Sequence, residues 1–352
     1  MDKKKALKRL SIIIALQLML VALFVWVLDP FYQYHEPFFD MQPVLYDRDN
    51  QVPGTIRSFA YDSALLGSSV AENFDSSFID ETYDVNTLKV IRASGSVADL
   101  LYYLEQAHEQ QELERVFWCL DIFALTSSGE VTLYGDDIPR YLHTSTVLDD
   151  IPYVYNKEIL FMKVPMMFAY AYMDRYTGGQ AYDWSSDKEF GAEKAMQAYS
   201  KPEGAVETGD YSNDIADIRD NIHAVVAEIQ AHPETQYTIM LPPYSMMWWD
   251  CGYVNGEGEK YFYVLENVLP ALLACENATV HYFQSDKDII CNLDNYMDMI
   301  HYSPQINQYM LDGVVAGTHQ VTGENLEKTL SDMRETYDYI ISEGIYLYYL
   351  KK

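Results

Sequence analysis

The chain has 352 residues, of which 49% are hydrophobic and 14% aromatic, with a formal net charge of -29. That length and apolar content suffice for one large α/β core or two modest domains, and 31 Tyr with 14 Phe exclude a disordered chain. A field of this sign excludes nucleic acid as a partner and disfavours anionic lipid surfaces. It suits cationic groups, such as amines on a surface polymer or metal ions, or simple solubility in a salty or acidic exterior.

Residues 1–10 hold Lys3, Lys4, Lys5, Lys8 and Arg9 against one acid and read as a cytoplasmic basic tail. The rest of the chain carries 19 Lys+Arg and 52 Asp+Glu, a net of -33. The uncharged run 11–28 spans roughly 27 Å as a helix, enough to cross a hydrocarbon core. No small-x-small site follows it, because the next residues are Asp29-Pro30-Phe31-Tyr32. The run therefore reads as an uncleaved transmembrane anchor rather than a buried soluble helix, with a cleaved signal peptide as the other targeting reading. Either way the bulk of the chain is expected outside the cytoplasm.

Residues 29–57 have no steady period and read as a juxtamembrane segment. An extracytoplasmic domain is expected over 58–345. Its strands are predicted at Phe59–Leu66, Thr87–Ile91, Arg115–Ile122, Tyr237–Leu241 and Thr279–Phe283, and helices at 75–83, 97–111, 215–229, 259–274 and 323–341. The near-continuous apolar strands and the alternation with helices predict an α/β sandwich of three layers, a mostly parallel central sheet covered on both faces. The stretch of about 125–208, rich in Met and Tyr, breaks this rhythm and reads as a mainly helical insertion or cap. Cys119, Cys251, Cys275 and Cys291 form no CxxC pair. Cys119 reads as a buried thiol, and a Cys275–Cys291 disulfide stays open. Asn277-Ala278-Thr279 matches a glycosylation sequon, a frequent chance match.

Two short segments carry chemistry. Leu65-Leu66-Gly67-Ser68-Ser69 puts serines at the end of an apolar strand, facing the crevice where open α/β sheets hold ligands. Asp298-Met299-Ile300-His301 supplies a base and a carboxylate to orient it. A serine hydroxyl needs such a base to act as a nucleophile. Backbone N–H groups at the turn after Gly67 can hold an oxyanion. Ser68, Asn73, Asp121, Tyr244 and Ser245 are possible pocket residues. Trp248 and Trp249 could form an aromatic wall for a sugar ring, or belong to the core or a lid. His281 reads as structural.

The two segments resemble the SGNH (GDSL-type) hydrolases. More narrowly, they are similar to the membrane-anchored branch that includes the D-alanyl transfer protein D of teichoic-acid modification and exopolysaccharide O-acetyltransferases. The resemblance covers about 59–122 and 213–315, and implies an SGNH/flavodoxin-like fold with Ser69 as nucleophile, His301 as base and Asp298 as its partner. It also implies oxyanion donors at Ser69 and at Gly95, the family's second-block glycine. Leu120-Asp121-Ile122-Phe123 stands where the family usually has Gly-x-Asn-Asp, so a carboxylate replaces an amide. The implied activity is acyl transfer or ester hydrolysis on a cell-surface glycan or teichoic-type polymer in a bacterial envelope. A membrane acyl-donor protein is an implied partner, and neither metal nor organic cofactor is implied. The alternative is a catalytically inactive binding or scaffold protein on the same fold.

Overall fold

The computed structural model describes residues 3–38, 41–130, 132, 139–144, 146–200 and 209–343. The chain divides into two compact units, one of residues 1–59 and 134–181, the other of 60–133 and 182–352.

The larger unit is built on a six-stranded sheet. Its strands are β1 (Ser63–Gly67), β2 (Thr87–Ile91), β3 (Arg115–Cys119), β4 (Gln236–Leu241), β5 (Ala278–Tyr282) and β6 (Gln320–Val321). They lie in the order β2-β1-β3-β4-β5-β6, the first five parallel and β6 antiparallel to β5. Every residue of β1 and β2 is buried, as expected of parallel strands covered on both faces. The chain moves one way from β1 to β2 and the other way to β3, so the carboxyl end of β1 lies at a topological switch point.

Helices flank this sheet, and their ends follow local chemistry. α1 (Lys3–Leu28) and α2 (Arg48–Ser58) belong to the smaller unit. In the larger one, α3 (Ser76–Tyr83) starts where Asp75 accepts from the Ser77 N–H, and ends at Asp84 in the left-handed region, φ 56°. A capping box between Ser96 and Asp99 opens α4 (Val97–Gln110), which buries Val97, Leu100, Tyr103, Leu104 and Ala107 at helical spacing. The helix Ile215–Ala231 buries Ile218, Ile222, Val225 and Ile229 on one face. Its Asn221 donates to the carbonyls of Leu125 (3.1 Å) and Ser127 (2.8 Å), fixing the chain that leaves β3.

In the smaller unit α1 is long and apolar enough to cross a membrane. Near its end Val25 packs with Phe31, Leu142, Tyr153 and Ile159. The segment 29–57 is more ordered than its lack of period suggests, because α2 occupies its last third. Gln51 organises it: the buried amide accepts from the N–H groups of Tyr46 and Asp47 and donates to the carbonyls of Pro30 and Val44, each at 2.9 Å. The first predicted strand starts late for the same reason. Phe59 caps α2, donating to the Thr55 carbonyl, so β1 begins only at Ser63.

Every regular element between 125 and 200 is helical among the described residues. The expected insertion is divided, however. Residues 134–181 group with the N-terminal segment and 182–200 with the sheet. Its parts at 131, 133–138, 145 and 201–208 lie outside the described residues. None of the four cysteines is in a disulfide, so Cys275 and Cys291 are not bridged, and Cys119 is buried.

Candidate active site

Gly67 ends β1 because nothing larger fits. A Cβ there would stand 2.7 Å from Ala71 Cβ and 3.1 Å from both Cys119 Cβ and Cys119 O. Ser68 follows in extended conformation with its side chain fully buried. Ser69 then heads the short helical turn Ser69–Ala71. The first N–H groups of such a turn have no acceptor within it.

The partner loop comes from the far side of the sequence. Asp298 Oδ1 accepts from the N–H groups of Ile300 (2.9 Å) and His301 (2.8 Å), which winds the loop. Its Oδ2 lies 2.7 Å from His301 Nδ1. An ionised carboxylate only accepts, so Nδ1 carries the proton and Nε2 presents its lone pair. Nε2 lies 2.9 Å from Ser69 Oγ and accepts from that hydroxyl. Ser69, His301 and Asp298 thus form one hydrogen-bonded series across 232 residues of sequence separation. Burial raises the Asp298 carboxyl, but the hydrogen bonds and charge of His301, with the Ile300 N–H, outweigh it and leave the group below its usual range.

Both ends of the series are clamped. Ser245, after β4, donates to the Met299 carbonyl from both its N–H (3.0 Å) and its hydroxyl (2.8 Å). Tyr296 donates to the Pro243 carbonyl at 2.8 Å. On the serine side, Trp184 Nε1 donates to the Ser69 carbonyl at 2.9 Å, and Asn307 Nδ2 to the Val70 carbonyl at 3.0 Å. Buried Lys89 donates to the Glu72 carbonyl at 2.9 Å. Burial lowers the Lys89 ammonium to about 8 against the pull of Asp183, Asp75 and Glu72. The Trp184 ring also stands edge-on to His301, with centroids 5.4 Å apart.

The remaining predicted residues fall beneath or beside the series. Asp121 follows β3, fully buried, and accepts from the Tyr244 hydroxyl. Burial raises its carboxyl to about 6, against the Tyr244 hydrogen bond, the nearby Ser68 hydroxyl and the charge of His301. Ser68, Asp121, Tyr244 and Ser245 are all fully buried. Asn73 Oδ1 accepts from the Trp184 N–H at 3.2 Å, while its buried Nδ2 has no hydrogen-bond partner among the described residues. The Gly95 N–H donates to the Arg92 carbonyl at 3.0 Å and closes a turn, so this donor is already engaged.

Trp248 and Trp249 form no open wall. Trp248 stacks on Tyr261 at 4.2 Å, and Trp249 packs on Phe262 at 5.7 Å and Tyr337 at 5.9 Å, within the core. His281 is buried and bonds the Thr318 carbonyl at 2.9 Å. Trp184 was not singled out by sequence. It is the one Trp within the Met- and Tyr-rich stretch 125–208, and that is the only signal that marks it.

No protein-family model matches the chain, and no curated protein matches its sequence.

Proposed function

We propose that the chain is a membrane-anchored serine acyltransferase or esterase, acting outside the cytoplasm on a cell-surface glycan or teichoic-type polymer. The reading rests on one observation, the Ser69–His301–Asp298 series with contacts of 2.9 and 2.7 Å at the carboxyl end of β1. The strand order 2-1-3-4-5, shared with flavodoxin-like sheets, supports an SGNH-like fold. The length and apolar character of α1, with its basic flank, support a single anchor whose N-terminus is cytoplasmic.

In this mechanism His301 Nε2 takes the Ser69 proton as Oγ attacks the carbonyl carbon of an ester or thioester. The new Oγ–C bond gives a tetrahedral oxyanion, held by the Ser69 N–H and the Asn73 amide. Gly95 contributes only if its turn opens. The leaving oxygen or sulfur departs with the proton from His301, leaving acyl-Ser69. Water or a polymer hydroxyl then attacks, His301 takes its proton, and the same proton passes to Oγ as the Oγ–C bond breaks, restoring the free serine. Asp298 stabilises the imidazolium throughout.

A catalytically quiet binding protein on the same fold is the second reading. The engaged Gly95 N–H and the carboxylate of Asp121 favour it. Labelling of the detergent-solubilised chain with a fluorophosphonate separates the two. The enzyme reading expects wild type to label and S69A and H301A to stay unlabelled. A folded wild type that no fluorophosphonate modifies supports the binding reading.

A further inference from the structure

At the opposite end of the sheet from Ser69, beside the start of β4, two imidazoles meet one carboxylate. His108 comes from the last turn of α4, and Glu228 and His232 from the last turns of the helix Ile215–Ala231 and its cap. Glu228 Oε1 lies 3.9 Å from His108 Nε2 and 3.6 Å from His232 Nε2. The carboxylate side chain is 10% exposed, and Oε1 accepts no hydrogen bond among the described residues. A nine-tenths buried carboxylate oxygen without a donor is costly, and a cation between it and the two rings removes that cost.

We propose that His108, Glu228 and His232 form a binding site for one divalent transition-metal ion of the zinc class, with water completing the coordination. The donor set is borderline in hardness, two imidazoles and one carboxylate, which suits zinc over calcium or magnesium. Bonds of about 2.0–2.1 Å in a tetrahedron place ligand atoms about 3.4 Å apart. The carboxylate lies within about 0.5 Å of that spacing from each imidazole nitrogen, and the ligand atoms as a set lie within 4.8 Å of one another, so the two rings must also draw together. The rings now stack face to face, centroids 3.6 Å apart and 6° from parallel, so one must also turn for both lone pairs to converge. His108 Nε2 exchanges its 3.1 Å contact with the Tyr237 hydroxyl for the metal.

The surroundings favour a cation. Two helices end at the cluster, each presenting the negative end of its dipole. Glu234 Oε1 stands 3.7 Å from His232 Nδ1, which adds a second negative charge beside the ring. The backbone beneath is held by Asn277, whose amide donates to the carbonyls of Ile229 (2.9 Å), His232 (2.9 Å) and Thr235 (3.0 Å). The site ties α4 to the helix Ile215–Ala231, and its role is that of a structural staple, independent of Ser69.

Zinc titration of the chelator-treated full-length protein by calorimetry, with thermal unfolding at each zinc concentration, tests this. One Zn²⁺ is expected to bind and raise Tm. H108A, E228Q and H232Q are each expected to weaken binding by more than the roughly tenfold to hundredfold that loss of an outer-shell partner costs. H223A, at an exposed histidine of the same helix, is expected to bind as wild type. Zinc-free unfolding of every variant shows that it is folded, and H232Q, at the helix end, serves if E228Q is not. Zinc heats and Tm shifts that are absent in wild type, or equal in wild type and all three folded variants, overturn the site.

Discussion

Asp298 does two jobs with two oxygens, and a single atom separates them. Oδ1 winds the loop and Oδ2 holds the imidazole proton. Asp298→Asn keeps an acceptor for the backbone but offers an amide donor to Nδ1, which favours the wrong tautomer. The expected outcome is a fluorophosphonate labelling rate reduced on the order of 10²–10⁴-fold with Tm nearly unchanged. Wild-type labelling by the variant would remove Asp298 from the mechanism. Asp121 behaves differently. Its folded-state value of about 6 lies above the ordinary 3.8, because burial penalises the charge. The folded state therefore holds the proton more tightly than the unfolded chain, and stability is lost as pH rises from about 4 to about 6. The shift corresponds to about 3 kcal/mol. Asp121→Asn, which still accepts from Tyr244, should remove this component, so its urea midpoint should fall less than wild type's across that window. Parallel pH profiles would contradict the buried-charge account.

Elements whose burial is apolar and continuous are legible in the sequence, and those that bury polar or small groups are not. β2 occupies the residues its pattern predicts, because Leu88, Val90 and Ile91 fill a layer on each face. α2 hides because its buried side includes Gln51, Gly54 and Thr55, with Pro53 inside the helix. β6 has two residues and no pattern to read. The residue types of the Ser69, Asp298 and His301 series could be read from strand ends and local spacing. The state of each backbone donor could not, since nothing in the letters Arg92-Ala93-Ser94-Gly95 says that the Gly95 N–H is already used. Trp184 was hidden because it reaches the site through contacts 111 and 115 residues away in sequence. Trp184→Phe keeps an aromatic ring against His301 and removes the donor to the Ser69 carbonyl. It should cost about 1 kcal/mol of stability and slow labelling of Ser69 more than that loss explains. A labelling rate equal to wild type would show that the indole only packs.

For the whole molecule, charge and hydropathy argue together. The five basic groups precede an 18-residue uncharged run, and everything beyond residue 10 carries a net -33. On the proposed topology the acidic bulk faces the exterior, where a polymer bearing amines is attracted rather than repelled. Protease added to intact cells stripped of their outer barriers should digest the chain beyond α1 while sparing a cytoplasmic marker. Protection until lysis would invert or remove the anchor. The central claim is an acyl group on Ser69, and its most direct test is intact and peptide mass spectrometry of the full-length protein quenched during turnover of an activated acetyl ester. The account predicts one acetyl adduct on the peptide that contains Ser69, absent from S69A and reduced in H301A. A folded protein that carries no adduct, or carries it on another residue while S69A stays as reactive as wild type, would contradict it.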